Sequence, residues 1–124
     1  MDATEIGKRL VELTTSDRDE QAIEELYDQN IVSVEAANGS DGEAQTLEGV
    51  DAVKEKHAWW NGVTTLHSMK AEGPYSGAGD NHFVVKFWMD VTMDGQDREQ
   101  ITEVGLFEVA NGKITREVYL PFNA

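Results

Sequence analysis

Cysteine is absent from this 124-residue chain, which removes disulfides and thiol chemistry from consideration and leaves the redox compartment open. Basic residues are scarce: 10 Lys plus Arg face 24 Asp plus Glu, for a formal net charge of -14. A field of that sign repels phosphate backbones and anionic membrane surfaces, so neither nucleic acid nor a membrane is an expected partner. The main reading of the acidity is a solvated surface, with adaptation to a salty cytoplasm as the alternative. No apolar run is long enough to span a bilayer. The N-terminus MDATEIGKRLVEL carries acids where a secretion signal needs bases, so the expected location is cytoplasmic. H-x-x-x-H and H-E-x-x-H spacings, a phosphate loop, G-x-G-x-x-G and a nucleophile elbow are all missing, so the sequence predicts no metal and no cofactor. Asn38 begins an N-G-S triplet that reads as a chance glycosylation match.

What is present is the pattern of one domain, residues 1–124, of a size able to bury a single core. Ile6, Leu10 and Leu13 recur at helical spacing. Ser16 or Asp17 can cap a second helix with the stripe Ala22, Ile23, Leu26 and Tyr27. NIVSVEAAN reads as a strand and GSDGEAQTLEG as a loop. A third helix from Val50 to Asn61 would bury Val50, Val53, His57 and Trp60. After Gly62 the period changes to two, giving four strands: TTLHSMKAEGPY, NHFVVKFWMDVTM, REQITEVGLFEVA and KITREVYLPF. Helices first and a meander afterwards is an α+β order, with the helices on one side of a bent sheet.

The turns at TMDGQ and VANGK decide which residues share a face. Each admits a two-residue type I′ turn or a type I turn followed by a glycine bulge, and the two differ by one residue of register. The bulged register puts Phe83, Val85, Phe87 and Met89 on one face with Ile101, Glu103, Gly105 and Phe107, and then with Thr115, Glu117 and Tyr119. The type I′ register would bring Glu103 beside Lys86 and Trp88. The bulged form is preferred because the apolar run of the longest strand then faces the helices, with Glu103 inward and opposite Tyr119.

Together with the helix GVDAVKEKHAWW, the segment EVGLFEVANGKITREVY resembles the SnoaL-like group of the nuclear transport factor 2-like superfamily, which includes polyketide cyclases, ketosteroid isomerase and limonene epoxide hydrolase. The resemblance extends from Ile6 to Phe122. It implies a cone of three helices in the N-terminal half and a curved, antiparallel to mixed sheet around an apolar pocket, and commonly a dimer through the sheet's outer face. The catalytic sets of those enzymes do not carry over. Ala36 follows Glu35 where the isomerase has its base, and Val85, Phe87 and Tyr119 occupy the positions of the hydrolase's Asp-Arg-Asp set.

Glu103 is therefore the sharpest candidate. Desolvation among Phe83, Val85, Ile101 and Phe107 disfavours its charge and suits it to acid–base work near neutrality; the plain alternative is a structural glutamate tied to Tyr119. Tyr119 could donate to a carbonyl or enolate oxygen. His57 and His67 are the remaining proton carriers on the pocket side, while His82 has outward parity. Trp60, Phe83, Val85, Phe87, Met89, Ile101, Phe107 and Glu117 are the expected pocket lining. Two functions of different class follow. One is a cofactor-independent isomerase, cyclase, dehydratase or hydrolase acting on a small hydrophobic carbonyl compound. The other is a non-catalytic module that holds a small apolar ligand. The outward residues Val84, Trp88, Val104, Leu106, Val118 and Leu120 are too apolar for a free surface and predict a homodimer, with Lys86, Asp90 and Arg116 supplying charge.

Overall fold

A computed structural model of the chain describes residues 1–36, 44–77, 79 and 81–122; Asn38 and its triplet lie outside these. The first helix, α1 (Ala3–Thr15), begins with a reciprocal cap. The Asp2 carboxylate accepts from the Glu5 N–H at 2.8 Å, while Glu5 accepts from the Asp2 N–H at 3.2 Å. Its buried stripe, Ile6, Leu10 and Leu13, is the one the spacing predicts. The second helix, α2 (Asp19–Leu26), is not capped by Ser16 or Asp17: Arg18 stands at the N-cap without a side-chain bond. Ser16 instead closes α1, its hydroxyl donating to the Glu12 carbonyl at 2.6 Å, and Asp17 takes a positive φ of 59° in the turn. Tyr27 does not extend the α2 stripe. It is the first residue of strand β1 (Tyr27–Glu35).

The chain continues through β2 (Gln45–Glu48), α3 (Val50–Val63), β3 (Thr64–Ser76), β4 (His82–Met93), β5 (Glu99–Ala110) and β6 (Lys113–Pro121). β2 lies inside the stretch read as loop. It pairs antiparallel with β1 at the sheet edge, where its mostly exposed residues leave no apolar alternation to detect. The six strands form one mixed sheet in the order β2-β1-β6-β5-β4-β3, parallel between β1 and β6 and antiparallel elsewhere. The sheet is curved and unclosed, with the three helices completing an α+β fold. Its core joins α1 and α2 to Phe83, Val85, Phe87, Phe107 and Ile114.

Between β4 and β5 the face is the expected one, with Phe83 paired to Phe107, Val85 to Gly105, Phe87 to Glu103 and Met89 to Ile101. The last pair, however, is Val91 with Glu99, so the connection is longer than a glycine-bulged turn at TMDGQ and the pairing is offset from the one that turn would set. Between β5 and β6 the face is as expected, but the device that sets it differs. Asn111 (φ 52°) and Gly112 (φ 76°) both lie in the left-handed region and join Ala110 to Lys113 in a two-residue turn of type I′ form. That turn alone would flip the faces. A bulge at Thr115, between the pairs Val109–Ile114 and Glu108–Arg116, inserts the extra residue and flips them back. In consequence Glu103 pairs with Pro121, and Tyr119 stands opposite Gly105 rather than opposite Glu103.

Candidate active site

The concave side of the sheet and the helices enclose a cavity of about 440 Å³. Parallel pairing sets Ser33 of β1 beside Glu117 of β6, and Glu35 beside Tyr119. These residues form a buried polar network in the cavity floor. Glu117 is 1% exposed and accepts three hydroxyl donors: Tyr27 at 2.6 Å and Tyr119 at 3.1 Å on Oε2, and Ser33 at 3.2 Å on Oε1. Burial pushes its carboxyl up, while the Tyr27 hydrogen bond, the Lys56 charge and the other hydroxyls oppose that rise. Lys56, projecting from α3, donates to Glu35 at 3.0 Å and to Ser33 Oγ at 3.2 Å, and lies 5.6 Å from the centre of the Tyr119 ring.

Glu103 enters the same cavity from β5, half-buried, and accepts no hydrogen bond from any described residue. Burial pushes its carboxyl up to about 7; the Glu35 and Glu117 charges add to the effect and Lys56 opposes it. Two neighbouring glutamates thus have unlike roles. Glu117 is locked by donors, whereas Glu103 presents a bare carboxyl to the cavity.

On the helical wall, His57 of α3 lies 3.6 Å, Nε2 to Oδ2, from Asp19 at the start of α2. The other Asp19 oxygen, Oδ1, is buried without a hydrogen-bond partner among the described residues, and burial pushes this carboxyl up against the opposing pull of His57. Trp60, Phe87, Met89, Ile101 and Tyr119 line the cavity as the sequence suggests. Phe83, Val85 and Phe107 do not. They are at most 1% exposed and pack beneath it, the two phenyl rings stacked with centroids 4.8 Å apart. His67 is not a cavity residue either. It sits at a bulge of β3 between Leu66 and Ser68, exposed, with Nε2 2.7 Å from Thr92 Oγ1. His82 is exposed beside Asn81, in keeping with its outward parity.

Asp19, Tyr27, Ser33 and Lys56 belong to the site and escape sequence reasoning. Asp19 has the signature of an ordinary acid in a first helical turn, and Lys56 that of a solvated lysine. The i, i+4 spacing of Lys56 and Trp60 is the one signal that sets Lys56 on the apolar face of α3. Among the described residues, no three His, Asp or Glu side chains are grouped so as to hold a metal ion, and no helix is long and apolar enough to cross a membrane.

Three helices against a curved mixed sheet are a fold shared with proteins of cystatin-like and ketosteroid isomerase-like fold. The sequence profile of the SnoaL-like domain matches residues 1–121, and the chain belongs to that family. A proposed SnoaL-like polyketide cyclase from Mesorhizobium loti superimposes with a TM-score of 0.84 at 33% identity, over 94% of this chain and 96% of that one. A proposed isomerase from Bacillus subtilis gives 0.77 at 19% identity, covering 97% and 86% of the two chains. A protein of ketosteroid isomerase-like fold from Catenulispora acidiphila gives 0.73 at 14% identity, covering 95% and 85%. Among curated proteins no sequence matches significantly.

Proposed function

We propose that this SnoaL-like domain is a cofactor-independent acid–base enzyme acting on a small, largely hydrophobic carbonyl compound, with Glu103 as the base that removes a proton from the carbon beside the carbonyl. The observation that carries this reading is a carboxyl without a hydrogen-bond donor among the described residues, facing a cavity of about 440 Å³, with its ionisation poised at about 7. The volume is in the range of about 300–1,000 Å³ typical of small-molecule sites. A base whose pKa matches the working pH combines an ionised fraction with driving force for proton transfer. Aldol-type ring closure and double-bond isomerisation both begin with this step, so a cyclase like that proposed for the Mesorhizobium loti protein fits the same site.

The competing reading, an apolar-ligand module without turnover, expects Trp60, Phe83, Phe87 and Phe107 to fill the pocket and leave no polar group in need of a partner. Phe83 and Phe107 instead stack beneath an open cavity, which supports the enzyme. Glu103→Gln keeps shape and hydrogen-bonding capacity and removes ionisation. In a thermal-shift and turnover screen of alicyclic and aromatic ketones, it should abolish turnover of any substrate found while retaining ligand-induced stabilisation. Undiminished turnover in the variant would discard the base. We also propose that two copies pair through the outer sheet face, where Val84, Leu106 and Val118 lie side by side across β4, β5 and β6.

A further inference from the structure

A base that opens a carbonyl compound toward its enol needs an acid at the oxygen, and Tyr119 is the residue the sequence offers for that part. Its hydroxyl is already donated to Glu117 at 3.1 Å, on an oxygen that also takes the Tyr27 hydroxyl at 2.6 Å. Donation to a ligand would give up a bond to a buried carboxylate, where lost partners are costly. Among the described residues His57 has no such commitment beyond its 3.6 Å approach to Asp19, and both side chains line the cavity. They sit on α3 and α2, whereas Glu103 comes from the sheet, so the two proton-handling groups reach the cavity from different structural layers. Asp19 Oδ1 is buried and unpaired among the described residues, a state whose cost is offset if the carboxylate is there to hold an imidazolium.

Building on the proposed base Glu103, we infer that His57, held by Asp19, is the acid that protonates the carbonyl oxygen of the substrate. In the step, the ionised Glu103 carboxylate takes a proton from the carbon adjacent to the carbonyl. The C–H electron pair becomes the carbon–carbon double bond, and the carbonyl oxygen receives a proton from protonated His57. The products are the neutral enol, protonated Glu103 and neutral His57, with atoms and charge conserved. Reversal at the same carbon exchanges its hydrogen with solvent, and reversal at a conjugated carbon isomerises the compound. His57 is the catalytic residue here, and Asp19 is a positioning residue.

The test uses 2-tetralone, a compact and readily enolised ketone, and follows deuterium uptake next to its carbonyl by proton NMR in D2O. Wild-type protein should accelerate exchange over buffer and Glu103→Gln should abolish the acceleration. His57→Gln should lower kcat by about 10²-fold or more with KM nearly unchanged. Added imidazole should restore part of the rate to His57→Ala, a response that a purely structural histidine would not give. Asp19→Asn should lower kcat but not KM, and Asp19→Glu should recover part of the loss. His67→Gln, outside the cavity, should behave as wild type, and near-UV circular dichroism should report an intact fold for each variant. If Glu103→Gln is inactive but His57→Gln and His57→Ala exchange at the wild-type rate, the assignment of His57 is overturned while the base stands. If the wild-type protein gives no acceleration, or Glu103→Gln retains it, the base itself is overturned and the acid with it.

Discussion

Two glutamates on adjacent strands, lining the same cavity, show how the environment, not the residue type, assigns a role. Glu117 and Glu103 both lose water, yet Glu117 recovers hydrogen bonds from Tyr27, Tyr119 and Ser33, while Glu103 recovers none from the described residues. The difference has a measurable sign. Burial raises the Glu103 carboxyl from its ordinary value of 4.5 to about 7 in the folded protein. A raised folded-state pKa means the native state holds this proton more tightly than the unfolded chain. The associated stability is fully present below about pH 4.5 and is lost as pH rises through about 7. The shift corresponds to about 3 kcal/mol as an upper figure, reduced by the solvent that reaches a half-buried group. Glu103→Gln cannot ionise, so its stability should exceed that of wild type at pH 8 and the gap should close toward pH 5, as read by urea denaturation at the two pH values. A gap that stays constant with pH would contradict the assignment. Turnover by the wild type should gain through about pH 7 for the same reason, because the base works as the carboxylate, and should fall again where His57 loses the proton it has to donate.

At the scale of elements, hydrophobic period carried most of the information. Phe83, Val85, Phe87 and Met89 alternate on one strand, so the inward face of β4 and the inclusion of Glu103 on the neighbouring face were legible. The Thr115 bulge was not, because nothing in the composition of KITREVY separates a bulged strand from a regular one; it moved Tyr119 one pair along, to Gly105. The alternation misplaces His67 for a related reason, since a bulge in β3 breaks the period that would set it inward. Asp19 and Lys56 become site residues through contacts between distant elements, and no local pattern encodes those. Gly105 shows the register acting on packing. A Cβ there would stand 2.6 Å from Phe107 Cε2, 2.8 Å from Phe107 Cζ and 3.3 Å from Phe87 Cε2. Phe107 is fully buried and stacked on Phe83, so its ring has no room to yield. Gly105→Ala should therefore destabilise the protein by about 1–3 kcal/mol through overpacking, seen as a lower denaturation midpoint at unchanged slope. A neutral effect would mean that the ring has another place to go.

For the whole molecule, the charge of -14 opposes self-association at long range, and the proposed dimer has to be reconciled with it. The outer sheet face is where the reconciliation lies. Its apolar residues adjoin cations: Lys86 Nζ is 4.5 Å from the Trp88 ring and 5.1 Å from Phe122, and Lys70 Nζ is 5.0 Å from Trp88. Copies meeting there would bury a shared apolar area in which the cations stand beside Glu72 and Glu108 of the same face, and keep most of the acidic surface outward. The residual repulsion between two acidic bodies is long-ranged and screened by salt, with a Debye length of about 30 Å at 0.01 M and about 8 Å at 0.15 M. Apolar contact is not weakened by that screening. Dimerisation should accordingly tighten between 0.01 M and 0.15 M salt, the reverse of an association held by opposite charges. Leu106 pairs with Val84 on one side and Val118 on the other, at the middle of the patch. Leu106→Arg buries an unpaired charge in each half of the interface, so sedimentation should show the variant as a monomer at micromolar concentrations where the wild type is a dimer, with both giving the same circular dichroism. A wild-type monomer at those concentrations and 0.15 M salt would remove the dimer, and association that weakens steadily with salt would place the contact on charged surface away from this face.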